Sequence, residues 1–477
     1  MALRWLDRDR HERPAPIYLH IGGPSTGTTY LQRLMAANQD VLTRSGYLLP
    51  GRSWRDVVLA THDALNTAPK TDLVQAAGGR WDSLAEEMVA HRGKATILSM
   101  EFLCWAKPEA AQRIVDSLGD AEVHVVLTVR DTAAVLRSQW QTNCRNGAEV
   151  PFRRLIWGLR QVVEKEGRPA TRPERMIDRA MGIPRMIDTW VPLVGADRFH
   201  VVTVPLDSPD PDLLWKRFAG VVGIKPGRCR ERSVESNASL GLPSSELMRL
   251  LNLELGSVTR TEYLRTMKAL LARDILGERA SEERKVTLNR AGHNLSARWN
   301  QRIRTAIESS GVELVGSLDD LPTAKADKAV PTDLESPTDE ELLFAAATAR
   351  AGLEQAIERL EERIARFREE LGYDDDGFDR GPGDAEGAGD DPDDPDDHDG
   401  DDHDGDDGGG DDGPDDDPEE AGLDRRAQLD RQLSDRTPEV GLALTEIIGL
   451  VRRAMPLGAE LAALRARAAS EPSEGAG

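Results

Sequence analysis

The sequence predicts an α/β protein, a P-loop-type parallel sheet with helices on both faces, and three observations predict it. Short, almost continuously apolar runs recur at 16–22 (PIYLHIG), 95–100 (ATILSM), 122–129 (EVHVVLTV) and 198–204 (RFHVVTV). Segments of helical period lie between these runs. A Gly-rich turn follows the first run directly and opens onto a helix. Runs without polar alternation belong to strands covered on both faces, and parallel neighbours need crossovers, usually helical.

The elements are justified in order along the chain. The first strand feeds a helix expected over 26–38, and apolar spacing gives further helices over 53–66 and 78–91. The strand at 95–100 precedes a helix over 108–118, and the strand at 122–129 precedes one over 132–146. After the strand at 198–204 come helices over 210–222 and 244–255. A helix-rich stretch, 258–310, carries no strand signal and is expected to pack on the sheet, closing a first unit over 1–320. Pro, Lys, Asp and Ser over 321–338 read as a linker. An amphipathic helix over 339–372 follows, in which Leu353, Ile357, Leu360, Ile364, Phe367 and Leu371 recur at heptad spacing. Two readings stand for it: a coiled-coil seam joining two copies as a homodimer through 353–371, or a helix docked on the first unit. The tail 421–477 reads as helical, broken by Pro438 and Pro456.

The charge is unevenly placed. The net charge is −23, yet 25 Asp or Glu and a single basic residue, Arg380, lie between Asp374 and Glu420. The remainder holds 59 acidic and 60 basic residues. With no basic excess to displace counterions, nucleic acid is not an expected partner. The tract 373–420 cannot bury enough apolar surface to fold and is expected to be disordered. Its DDHDGDDHDGDD core lacks both the Glu that closes an EF-hand loop and the apolar residue of a calcium β-roll, so it reads as a solvated spacer. No apolar run is long enough to span a bilayer, and no membrane partner is expected. The N-terminus, MALRWLDRDRHERPAP, is charged throughout and lacks the apolar core of a signal peptide. Cys104, Cys144 and Cys229 are too scattered for a disulfide framework or a metal knuckle, and a cytoplasmic protein is expected.

The strongest site signal is GGPSTGTTYLQRLM, Gly22 to Met35. A buried strand, a Gly-rich turn and a helix start build a nest of backbone N–H groups that favours a phosphate. Gly22-x4-Gly27-Thr28-Thr29 fits the Walker A frame except that Thr28 stands where a lysine is required.

Here the sequence resembles a family. HIGGPSTGTTYLQ is similar to the 5′-phosphosulfate-binding loop of sulfotransferases that use 3′-phosphoadenosine 5′-phosphosulfate (PAPS), usually HIGxPKTGTTYLQ. The resemblance implies cofactor contacts from Gly23, Ser25, Thr26, Gly27, Thr28 and Thr29. A second hallmark, VHVVLTVRDTAAVLRSQWQ, gives Arg130 at a strand end and Ser138 two helical turns on, the pair that holds the 3′-phosphate in the family. The chemistry is apt, since a guanidinium offers a bidentate fork and a serine adds a hydroxyl. Later blocks, RFHVVTVPLDSPDPDLLWKRFAGVVGI and SNASLGLPSSELMRLLN, continue the resemblance over about 16–320. It implies sulfuryl transfer from PAPS to a hydroxyl or amine of a small molecule or glycan, without a metal. Lys225, Arg228, Arg230 and Arg232, just before Asn237, read as an exposed basic loop or a cofactor cover.

The chain departs from the family where the loop lysine is replaced by Ser25. An ammonium aimed at the leaving phosphate is worth about 2–4 kcal/mol, by analogy with one preorganised donor. Three outcomes follow: a slow enzyme, a cation from elsewhere such as Arg33 or Arg52, or a binding protein without turnover. For the general base, Glu101 follows a strand at the carboxyl edge, where α/β sites lie, and His62 sits in a helix of the first unit. His20, inside the first strand, reads as a satisfied core histidine. Two rival functions remain, a catalytically weak PAPS-binding scaffold with an interaction tail, and a P-loop kinase or NTPase with Asp131 as its metal-binding carboxylate.

Overall fold

Four of the predicted runs are the four inner strands of a six-stranded sheet in the computed structural model, which describes residues 14–66, 78–165, 167–231, 240–256, 258–371 and 418–470. The strands are β1 (Ile17–His20), β2 (Tyr47–Leu48), β3 (Ala95–Ser99), β4 (Val123–Val129), β5 (Phe199–Thr203) and β6 (Glu313–Val315). They lie in the order β2-β3-β1-β4-β5-β6, and every pairing is parallel. The edge strands β2 and β6 had no sequence signal, because two or three residues are too few to show a run.

Alternation along each strand feeds two cores. Leu19, Leu98, Val125 and Val201 face the larger one, while Ile97, Val126 and Val202 face the other. The smaller face is covered by α1 (Thr28–Ala37), α2 (Gln39–Arg44) and, further along, α10 (Leu213–Val221), through Leu31, Leu34, Trp215 and Phe218. The larger face takes α3 (Trp54–Leu65), α4 (Arg80–Ala90), α5 (Pro108–Ser117) and α6 (Thr132–Arg145). Three helices not anticipated from the sequence, α7 (Phe152–Lys165), α8 (Arg172–Ala180) and α9 (Ile183–Val194), fill the chain between α6 and β5. After α10 come α11 (Leu242–Leu255), a wide-turn helical segment Tyr263–Ile275, and α12 (Arg290–Ser310).

The expected linker is pinned to the body. Arg290 donates to the carbonyl oxygens of Val330 and Lys328, Asn289 to that of Thr332, and Arg284 pairs with Glu335 at 2.6 Å. The helix beyond it, α13 (Asp339–Glu370), begins with a capping box formed by Thr338 and Glu341. Its first half docks on the body, where Leu342, Ala345, Ala346, Ala349 and Leu353 join the larger core. Small side chains there let the backbones approach closely.

Its second half is paired from within the chain. After α14 (Pro418–Leu433), α15 (Pro438–Ser470) runs beside α13 in the same direction, as the ion pairs Arg350–Glu446, Arg453–Glu361 and Arg368–Glu460 show. Ile364 packs with Leu461 and Leu464, and Leu360, Phe367 and Leu371 lie against them. The heptad seam is therefore filled by α15 of the same chain. Pro438 begins α15, but Pro456 lies inside it rather than ending it. Apolar packing on both sides of Pro456, by Met455 and Leu461, outweighs the single lost hydrogen bond. The acidic tract over 373–420 lies outside the described residues, save for the start of α14. No helix among the described residues is long and apolar enough to cross a membrane.

Candidate functional site

The site lies where the sheet's connections diverge. From β1 the chain crosses toward β2 and β3, and from β4 it crosses the other way to β5, leaving a crevice between the carboxyl ends of β1 and β4. The Gly22–Thr29 loop fills one side of that crevice, and Arg130 with the start of α6 forms the other.

The loop rests on a buried polar chain. Ser99 Oγ lies 2.7 Å from His20 Nδ1, and His20 Nε2 lies 3.2 Å from Thr128 Oγ1. Thr128 Oγ1 is 2.7 Å from Thr26 Oγ1, which donates to the Gly23 carbonyl at 2.6 Å. Since Thr26 donates to Gly23, it accepts from Thr128, which accepts from His20 Nε2–H, and His20 Nδ1 accepts from Ser99. One neutral imidazole satisfies every link. Burial alone pushes the His20 pKa down to about 3, consistent with that neutral form. His20 is thus a core residue whose work is to brace the loop. Gly22 leaves no room for a side chain, because a Cβ would stand 1.9 Å from Thr128 Oγ1.

The loop then presents its donors. Gly27, at φ 90°, precedes α1 without a side-chain cap, and the first turn of α1 holds no acidic residue. The first N–H groups of α1 are left to whatever occupies the crevice. Thr28 is buried and donates to the Gly22 carbonyl at 3.4 Å, so its hydroxyl serves the turn, while Thr29 is half-buried in the first turn.

Three residues singled out from distant stretches meet here. Ser25 Oγ donates to Ser138 Oγ at 2.9 Å, and Arg130 Nη1 donates to the Ser25 carbonyl at 3.1 Å. Gln139, which the sequence did not single out, donates from Nε2 to Ser25 Oγ at 2.9 Å. Ser25 adopts a left-handed φ of 64°, unusual for a residue with a Cβ, and these three bonds hold it there. Arg130 is largely buried; desolvation lowers its pKa first, and the neighbouring charge of Arg137 lowers it further.

Asp131 is committed elsewhere. It caps α6 through Ala134 N and accepts from Asn300 Nδ2 at 2.8 Å and from Ser296 Oγ at 3.4 Å. Asn300 also accepts from Thr132 N and Oγ1, so α12 is tied to the start of α6. A carboxylate used this fully is a structural cap, which removes the residue on which the kinase reading relied.

The two candidate bases stand on the neighbouring strand's side. Glu101 opens the tight turn Glu101–Trp105 just past β3, and Gln32 of α1 donates to the Ser99 carbonyl at 3.0 Å, joining α1 to that strand end. His62 is buried in the last turn of α3, its ring 5.5 Å from that of Phe102. Glu101 and His62 therefore flank Phe102, one β-strand away from the Ser25–Arg130 contact. Of the alternative cations, Arg33 is half-buried in α1 and Arg52 is exposed before α3. Arg232 and Asn237 lie outside the described residues. Cys104, Cys144 and Cys229 are buried and are not joined by disulfides.

No family model matches the chain, and no curated protein matches it. Among solved structures, it is similar to a sulfotransferase from Alicyclobacillus acidocaldarius at 15% identity, over 46% of this chain and 87% of that one, with a TM-score of 0.33.

Proposed function

We propose that the crevice between β1 and β4 binds PAPS and its product adenosine 3′,5′-bisphosphate, and that the protein transfers the sulfuryl group to a hydroxyl or amine of a small molecule or glycan. The observation that carries this reading is the meeting of Ser25, Arg130 and Ser138, residues that belong to two separate sequence motifs. In the proposed step the acceptor oxygen or nitrogen attacks sulfur as the bond from sulfur to the bridging phosphate oxygen breaks. The electron pair leaves with the bisphosphate, and the acceptor's proton passes to a base, for which Glu101 is the first candidate and His62 the second.

One observation favours a second reading, a binding scaffold with little turnover. Ser25 gives the loop a neutral hydroxyl, and that hydroxyl is already engaged by Ser138 and Gln139. Calorimetry with adenosine 3′,5′-bisphosphate and with ATP tests the site. The bisphosphate should bind more tightly, and Arg130→Ala should weaken it by about 2–4 kcal/mol, because a charge-assisted fork to a phosphate is lost. Unchanged affinity in a folded Arg130→Ala protein would remove the assignment. Production of bisphosphate from PAPS with an acceptor then separates the enzyme from the scaffold.

A further inference from the structure

A second cluster of titratable groups lies at the amino ends of the strands, the opposite end of the sheet from the crevice. Tyr18 on β1, His124 on β4, His200 on β5 and Glu313 on β6 share the face of the smaller core, because Val126, Val202 and Val315, two residues on, belong to that core. The register sets Tyr18 beside His124 and His200 beside Glu313, and it makes the two histidines diagonal neighbours. Four groups then join in a row. Glu122 Oε1 lies 3.1 Å from His124 Nε2, His124 Nδ1 lies 2.9 Å from His200 Nε2, and His200 Nδ1 lies 2.5 Å from Glu313 Oε2. The outer carboxylates are more than half exposed, whereas the His124 and His200 side chains are 12% and 8% exposed.

Counting hydrogens decides what this row holds. An ionised carboxylate only accepts, so His124 Nε2 and His200 Nδ1 must both carry hydrogen. A neutral imidazole has one N–H, so with both rings neutral the two inner nitrogens would face each other as lone pairs. With both rings protonated, two N–H groups and two positive charges would meet instead. One proton between the inner nitrogens satisfies every link. The surroundings agree. Burial lowers the His124 pKa most, the Glu122 hydrogen bond opposes it, and charges on His200 and Arg198 lower it further, so a second proton is refused. Tyr18 stacks on the His124 ring at 4.7 Å; burial first, then Glu122, Tyr47 and Glu313, raise its pKa, and it stays a neutral phenol.

We propose that His124 and His200 share a single proton, and that this proton fastens the edge strand β6 to the sheet in a pH-dependent way. β6 has only three residues, and a second side-chain tie lies past its end, where Asp320 accepts from Thr203 Oγ1 at 2.7 Å and pairs with Arg217 at 2.6 Å. Loss of the shared proton sets two lone pairs against each other and loosens the bond from His200 to Glu313. In the unfolded chain both histidines titrate near about 6.5. The folded pair keeps its first proton above that pH and rejects the second below it. Its stabilising effect is therefore largest near pH 6.5 and declines on both sides, by up to about tenfold in the folding constant per pH unit.

The test measures denaturant unfolding of wild type and His124→Gln between pH 6.5 and 8.5, where His20 no longer titrates, together with nitrogen-15 spectra of the histidine-labelled wild type. A glutamine amide can donate to His200 Nε2 without a titrating proton. The wild type should therefore lose stability relative to His124→Gln as the pH rises, by about tenfold or more in the folding constant across that range. In the spectra at pH 7.5, the two ring systems that disappear in His124→Gln and His200→Gln should together hold one imidazolium proton. Two neutral rings at that pH, or stability curves that run parallel in wild type and variant, overturn the shared proton. If His124→Gln does not fold, His200→Gln provides the same comparison, and the wild-type spectrum decides by itself.

Discussion

Ser25 and His20 show how single residues set this site. At φ 64° Ser25 occupies a conformation that costs a non-glycine residue about 1 kcal/mol or more, and it persists because Arg130, Ser138 and Gln139 all bind it. His20 supports the same loop from below and has a measurable acid signature. Its pKa falls from 6.5 unfolded to about 3 folded, so below 6.5 the unfolded chain binds a proton that the folded one refuses. Stability from this group is fully present above pH 6.5 and is lost as the pH falls toward 3, by at most about 1.4 kcal/mol per unit. His20→Gln can keep bonds to Ser99 and Thr128 without a titrating ring, and its stability should vary less between pH 6.5 and 4 than that of the wild type. Equal acid slopes in chemical denaturation would show that His20 does not stay neutral. The loop residues, Arg130 and Ser138 were legible because each sits in a short local pattern. Gln139 was not, because its relevance depends on which side of α6 faces the loop, and that follows from tertiary packing.

At the level of elements, the inner strands were readable from continuous apolar runs, whereas β2 and β6 exist only because longer neighbours hold them. In α7, Leu155, Leu159 and Val163 do repeat at helical spacing, but without strands on either side they gave no position relative to the sheet. The linker composition of 321–338 was real, yet Arg284 and Arg290 fix that segment to the body through its carbonyls and Glu335. For α13, periodicity identified an apolar seam but not its partner. Removing residues 438–477 should uncover Leu353, Ile357 and Ile364, which are now nearly inaccessible. Burying such aliphatic side chains is worth roughly 1.5–3 kcal/mol each. The truncated protein should melt at lower temperature and self-associate as concentration rises, while still binding the bisphosphate, since no proposed site residue lies in that segment. A truncated form that stays monomeric and equally stable by light scattering and thermal melting would show that the seam needs no cover.

For the molecule as a whole, the nearly neutral body and the intensely acidic segment are distinct in sequence, and the parallel course of α13 and α15 requires a connecting segment between those two helices. The chain must return along the length of α13 before α15 can start. With a rise of about 1.5 Å per residue, that is a path of roughly 48 Å. About fifteen extended residues would bridge it, far fewer than lie between Leu371 and Pro418. Covalent continuity there contributes an effective concentration and little else. A protease site placed among residues 374–417 should therefore yield, after cleavage, two polypeptides that co-elute and still bind the bisphosphate. Separation of the pieces at micromolar concentration would show that the tether is needed to hold α15 in place. If the pieces stay together, this single chain is physically a heterodimer, a body and a subunit it carries for itself, and the gene could be divided at that point without the protein coming apart.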